Sequence, residues 1–167
     1  MSGNTVGETP GIHALHGFLG SGKTTLARRL ERELPGVRFS PDEWLVNLYG
    51  PDLDAETFPP AARRIHDQLE PLWMRIVSLG VPVILDSGFW SRDSRDTLRA
   101  QAAALGVPLT LYALEVPAAE ARVRIARRNA EPGALPITGN AFDVLWARFE
   151  PLTADEDAVR DSHAHSF

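Results

Sequence analysis

Gly17-Phe18-Leu19-Gly20-Ser21-Gly22-Lys23-Thr24 fits the pattern G-x-x-x-x-G-K-[ST] at every position, and no other stretch restricts the fold of this chain so tightly. A polyphosphate is held by several backbone N–H groups converging on it, and only a tight glycine-containing turn lets the backbone come that close. Gly17, Gly20 and Gly22 supply the turn. A helix opening directly after the turn adds unpaired N-terminal amides and a positive dipole end. Lys23 then reaches the β- and γ-phosphates and Thr24 can hold Mg²⁺. Gly17, Gly20, Ser21, Gly22, Lys23, Thr24 and Thr25 are therefore the candidate nucleotide-binding residues.

Such a loop must leave a strand and enter a helix, and both flanks comply. Ile12-His13-Ala14-Leu15-His16 reads as a short strand, and the pattern from Thr25 to Leu34 places Leu26, Leu30 and Leu34 on one helical face before Pro35-Gly36 ends it. The chain has 17 Lys plus Arg, yet Lys23 is its sole lysine. A sequence that elsewhere chooses arginine uses a compact ammonium where a phosphate cradle requires one.

The 167 residues suit one domain, large enough to bury roughly two-thirds of its unfolded surface. Residues 1–10 read as a loose lead-in, 11–155 as the domain and 156–167 as a polar tail carrying His163 and His165. There is no cysteine, which excludes disulfides and thiolate chemistry, and no apolar run reaches membrane-spanning length. The cytoplasm, and a monomer or weak homodimer without a membrane partner, are the expectations. A net charge of −5 argues against a broad duplex nucleic-acid surface and leaves room for a small substrate or a nucleic-acid end.

Val37 to Ser40 forms a candidate second strand, followed by a helix start in which Ser40 caps, Pro41 takes the first position and Glu43 completes a capping box. Asp42 then has two readings: an acid favoured by the helix dipole, or a carboxylate facing the γ-phosphate. Pro59-Pro60 precedes a long helix, Ala61 to Leu79, with Ile65, Leu69, Leu72, Trp73 and Ile76 as its apolar stripe and a kink or second start at Pro71. His66 and Asp67 read as a solvated face. Val81 to Asp86 looks like a buried parallel strand whose closing acid reaches the edge where open α/β sheets keep their sites. Asp86 is thus a candidate for the Mg²⁺ shell or the substrate, and Ser87 stands where many motor ATPases carry a glutamate.

Ser91 caps a helix to about Leu105 that carries Arg92, Arg95 and Arg99 on one face. Arg92 and Arg95 in its first turn oppose the dipole preference, which points toward a functional use. A fourth strand, Pro108 to Leu114, leads to a helix from Ala118 to Asn129 in which Arg124 and Arg128 project one turn apart before the Pro/Gly-rich segment 130–136, the pattern of a mobile lid. A last helix spans about Asn140 to Phe149, and Val159 is a candidate edge strand.

With these residues in order, the chain resembles the small P-loop kinases related to polynucleotide kinase, zeta toxin and chloramphenicol phosphotransferase, over roughly residues 11–155. Ser40-Pro41-Asp42-Glu43-Trp44-Leu45 and Asp86-Ser87-Gly88-Phe89-Trp90 look most like a bacterial ATP-binding group of that clan. The resemblance implies a three-layer α/β sandwich around a mostly parallel sheet of four or five strands. It makes Asp42 the match of the family's catalytic base, Lys23 and Thr24 the matches of its nucleotide and magnesium positions, and Arg124 and Arg128 the matches of its lid arginines. Polynucleotide kinases carry an arginine shortly after the catalytic aspartate, whereas this chain reads Glu43-Trp44-Leu45, which disfavours a 5′-hydroxyl polynucleotide.

The expectation is an ATP- and Mg²⁺-dependent kinase acting on a hydroxyl of a small-molecule or nucleoside-like acceptor. Asp42, Trp44, Asp86, Trp90, Arg92 and Arg95 are its candidate acceptor residues, with Thr24 and Asp86 on the metal. An ATP-binding switch without phosphotransfer and a zeta-like toxin kinase are the other readings. A Ras-like GTPase is disfavoured, because a guanine-specific Asn-Lys-x-Asp cannot be built with Lys23 already in the loop.

Overall fold

In the computed structural model, which describes residues 10–130, 137 and 139–160, the apolar runs become strands β1 (Ile12–Gly17), β2 (Val37–Phe39), β3 (Val83–Leu85), β4 (Leu109–Leu114) and β5 (Val159–Arg160). They form one five-stranded sheet in the order β2-β3-β1-β4-β5, every neighbouring pair parallel. All three residues of β3 are buried, as expected of a strand covered on both faces. In register, Ala14 and Phe39 both pair with Leu85, and Gly17 pairs with Leu114. The segments after β1 and β3 leave in opposite directions, so a crevice opens at their C-terminal ends. The acid after β3 and the loop after β1 meet there.

Helices α1 (Lys23–Glu33), α2 (Pro41–Tyr49), α3 (Phe58–Ser78), α4 (Arg92–Leu105), α5 (Ala118–Asn129) and α6 (Gly139–Arg148) cover the sheet. Leu26, Ala27 and Leu30 of α1 pack on Leu15, Ile84 and Leu114, while α3 and α4 bury Ile65, Leu69, Trp73 and Leu98 against Ile12, Ala14, Val83 and Leu85. The α/β three-layer arrangement agrees with the sequence expectation, and the sheet takes the larger of the two strand numbers allowed.

Four local readings need correction. The α3 stripe is Ala61, Ile65, Leu69, Trp73 and Val77, whereas Leu72 is 45% exposed, because at 3.6 residues per turn it lies about 100° round the helix from Trp73. Pro71 sits inside α3, which runs unbroken from Phe58 to Ser78, so of its two readings the second start does not hold. Ser40 has the extended backbone of an N-cap but its side chain makes no capping bond, so the capping box does not form. Glu43 instead accepts from Arg38 and Arg28, both at 2.7 Å. Finally, residues 156–160 are tied to the domain: Glu156 is buried and β5 pairs with β4. The readings made for residues 1–9, 131–136 and 161–167, including His163, His165 and most of the lid segment, lie outside the described residues.

Candidate functional site

The phosphate-loop turn is anchored from below by Phe18, a residue the sequence pattern leaves unconstrained. Its ring is 1% exposed and sits 4.7 Å from Trp146, 5.2 Å from Phe142 and Trp90, and 5.7 Å from Phe149. Trp90 also donates its indole N–H to the Gly17 carbonyl at 3.0 Å. The backbone needs glycine at both ends of the turn. A Cβ on Gly17 would lie 2.5 Å from Ser21 Oγ and 2.8 Å from the Leu114 carbonyl, and Gly22 has φ +95°. The loop therefore passes from β1 into α1 through a tight turn, as its sequence predicted.

Lys23, the first residue of α1, folds back and donates from Nζ to the Phe18 carbonyl at 2.8 Å. Burial beneath the loop lowers its pKa to about 8, with the charges of Asp86 and Asp42 opposing the shift. Two further cleft-lining polar atoms, Ser21 Oγ and Arg128 Nε, are buried and have no hydrogen-bond partner among the described residues. Unsatisfied buried donors are costly, and a phosphate oxygen would satisfy them. The cradle thus has the chemistry of an anion site.

Asp86 leaves β3 buried, its amide donating to the Phe39 carbonyl at 2.8 Å. Thr24 Oγ1 donates to Asp86 Oδ1 at 3.4 Å, and Arg38 Nη1 donates to Oδ2 at 3.2 Å. Burial pushes the Asp86 carboxyl up, while the Arg38 and Lys23 charges counter it. Thr24 and Asp86 together offer adjacent hard oxygens of the kind Mg²⁺ takes alongside phosphate oxygens and water. Among the described residues no group of three or more His, Cys, Asp or Glu could hold a metal by itself.

Arg38 is the residue sequence reasoning missed most plainly. From β2 it donates to Glu31, Glu43 and Asp86 at 2.7 to 3.2 Å, with its side chain 12% exposed. These bonds orient Asp86 and draw Glu43 toward the sheet edge, and the bond from Arg38 holds the Glu43 carboxyl below its ordinary range. The only signal in sequence was a charged residue within an otherwise apolar short strand.

A single cleft of about 2850 Å³ runs from the loop across the sheet edge. Gly20, Ser21, Gly22, Lys23, Thr24 and Thr25 line it, as do Asp42, Asp86, Trp90, Arg124 and Arg128. Arg124 donates to the Gly20 carbonyl at 3.1 Å and pairs with Glu120 one turn earlier, so α5 leans directly on the phosphate loop. Trp44, Arg92 and Arg95 do not line the cleft. Trp44 is 46% exposed on α2. Arg92 faces solvent, bonded to Asp96, Thr153 and Asp155. Arg95 is 1% exposed, bonded to both oxygens of Glu156 at 2.8 and 2.9 Å and to the carbonyls of Phe89, Trp90 and Glu150. Its position in the first turn, against the dipole, is explained by these acceptors rather than by a substrate. His66 and Glu70, in contrast, line the cleft from α3. Their spacing with Trp73, one helical face at i, i+4 and i+7, was the available sign.

A family described as an AAA domain matches residues 12–152. The chain belongs to that family. Solved structures carry the same fold at low identity. A kinase candidate from Chloroflexus aurantiacus superimposes with a TM-score of 0.73 at 19% identity, over 92% of this chain and 88% of that one. Kti12 from Chaetomium thermophilum, solved with ADP-AlF3, gives 0.66 at 20%, over 91% and 89%. A chain of the Pnkp1/Rnl/Hen1 RNA repair complex gives 0.70 at 22%, over 87% of this chain but 45% of that one, so the present chain spans under half of that protein. No curated protein matches. The resemblance to the polynucleotide-kinase clan of small P-loop kinases is thereby borne out at the level of family and fold, and the AAA-domain match covers the phosphate loop, both acids and the α5 arginines.

Proposed function

We propose that this AAA-domain protein is a Mg²⁺-dependent ATP phosphotransferase that moves the γ-phosphate to a hydroxyl of a small-molecule or nucleoside-like acceptor. The supporting observation is that one cleft unites a lysine-bearing phosphate cradle, two carboxylates at the strand ends and two arginines from α5. The capture of Kti12 with ADP-AlF3 lends the fold a nucleotide precedent. Ser21, Lys23 and the loop amides bind the phosphates, with Thr24 and Asp86 on the metal, which when bound would neutralise phosphate charge. Asp42 accepts the proton of the acceptor hydroxyl as its oxygen bonds to the γ-phosphorus and the bond to the bridging oxygen of ADP breaks. Arg124 and Arg128 offset charge on the group in transit. Arg38 holds Asp86 in place rather than touching the reacting atoms.

The test is calorimetric titration with ATP and Mg²⁺ alongside γ-labelled ATP incubated with a metabolite library. Saturable ATP binding and label in a small-molecule product, both lost in Lys23→Ala, are expected. Tight ATP binding with no labelled product from any acceptor would instead favour the switch reading.

A further inference from the structure

The two-residue alternation of β1 carries His16 onto the same sheet face as Ile12 and Ala14, which pack in the core against α3 and α4. The imidazole is 3% exposed and stacks on Phe149, with ring centroids 4.9 Å apart. Its Nδ1 lies 3.1 Å from the Phe89 carbonyl. A carbonyl only accepts, so Nδ1 carries the proton, and burial lowers the pKa and keeps the ring neutral at neutral pH. Nε2 is therefore a bare lone pair. It has no hydrogen-bond partner among the described residues.

His16 borders a cavity of about 330 Å³ at the ends of β1 and β4. Phe18, Trp146 and Phe149 line it as well, with centroids 4.7 Å apart from Phe18 to Trp146, 5.7 Å from Phe18 to Phe149 and 6.2 Å from Trp146 to Phe149. Phe89 is not part of that lining, so one edge of the imidazole is bonded elsewhere and Nε2 is the ring atom left to bond within the cavity. Leu114 is the one lining residue this cavity shares with the large cleft, so the two sites are distinct.

The volume lies at the lower end of ligand sites and suits one or two rings. Water needs several polar partners, and one lone pair among aromatic rings serves it poorly. An anion would face that lone pair and the Glu115 carboxylate, and a cation would find Glu115 already paired with Arg160. A neutral ring with a single donor meets both the apolar walls and the acceptor.

We infer that this cavity is a binding site for a small neutral aromatic molecule carrying one hydroxyl or N–H donor, which hydrogen-bonds to His16 Nε2 while its ring lies among Phe18, Trp146 and Phe149. The site stands apart from phosphotransfer and from its acceptor.

The test titrates the full, nitrogen-labelled chain with phenol and indole and with their capped partners, anisole and N-methylindole. Imidazole and indole nitrogens are followed by NMR, with and without Mg²⁺ and a saturating non-hydrolysable ATP analogue. The donor compounds should shift the His16 Nε2 signal and bind about fivefold more tightly than the capped ones, the contribution of one hydrogen bond. Binding should persist beside the ATP analogue. Leu152→Trp places a larger side chain in the cavity lining and should abolish binding, whereas His16→Phe keeps a stacking ring and should make donor and capped compounds bind alike. Circular dichroism verifies each variant's fold, and if either is unfolded the comparison of donor with capped compound on the parent decides alone. No saturable binding, equal affinity of donor and capped compounds in the parent, an unmoved His16 signal, displacement by the ATP analogue, or parental affinity in a folded Leu152→Trp protein each overturns the inference.

Discussion

Asp42 and Lys23 carry the sharpest predictions at the scale of the residue. As an acid in the first turn of α2, Asp42 contributes about 0.3 to 1 kcal/mol through the helix dipole, and asparagine would forfeit only that. As the base it matters far more to rate, since positioned proton transfer contributes about 10² to 10⁴-fold. Asp42→Asn should bind ATP nearly normally, melt within a few degrees of the parent, and lose about a hundredfold or more in transfer to the acceptor. A folded variant that keeps most of its rate would return the role of base to Asp86 or Glu43. Lys23 supplies the pH dependence. Its folded pKa of about 8 lies below the ordinary 10.5, so the unfolded chain holds this proton more tightly and Lys23 makes the free protein more stable as pH rises through 8 toward 10.5. Bound phosphate reverses the preference by stabilising the ammonium. ATP affinity should therefore fall as pH rises above about 8, and calorimetry near pH 8 should register proton uptake, as a binding heat that varies with the ionisation enthalpy of the buffer. Lys23→Ala should abolish that uptake along with most of the affinity.

At the scale of the element, α5 is where chain pattern and site geometry agree best. Pro117 presets its start and Asn129 closes it, so both ends of Ala118–Asn129 were legible from the sequence. With Arg124 already bonded to the Gly20 carbonyl and the Arg128 Nε buried beside the cleft, the helix should tighten when phosphates arrive. Amide exchange across 118–130 should slow with an ATP analogue and Mg²⁺ bound, and identical exchange with and without them would remove α5 from any lid. Elements defined by local signals were legible in this way: the phosphate loop by its glycines, α4 by Ser91, whose hydroxyl accepts from the Ser94 amide, and β3 by its apolar run. What could not be read were contacts between distant segments. The arginines of α4 pointed correctly to something unusual, yet a sequence does not say whether a guanidinium meets a substrate or a glutamate 61 residues away. Arg38 was silent for the same reason, its three carboxylate partners being brought together only by the sheet.

Over the whole molecule, the Arg95–Glu156 pair links the end of the described chain to the phosphate loop. Both side chains are 1% exposed, and Arg95 also fastens the Phe89 and Trp90 carbonyls and that of Glu150. Phe89 needs that fastening, since it holds φ at 42°, a region that side-chain-bearing residues avoid. Its carbonyl also receives His16 Nδ1, and burial lowers the His16 pKa, so the ring donates there as the neutral form. Next along, Trp90 bonds the Gly17 carbonyl and stacks on Phe18, which closes a path from β5 to the phosphate cradle. Removing one member of a buried ion pair strands the other and costs about 3 to 5 kcal/mol, a loss of roughly 6 to 20 °C in Tm for a domain of this size. Glu156→Ala should reach that range. If the path also positions the loop, ATP should bind several-fold more weakly in this variant at temperatures where it is still folded. The control is Arg92→Ala, which breaks only exposed bonds of the same helix and should shift Tm by no more than about 2 to 4 °C. A Glu156→Ala protein that melts like the parent would show that the buried pair is incidental. One that melts early but binds ATP with parental affinity would confine the pair to stability and detach the phosphate loop from the C-terminal strand.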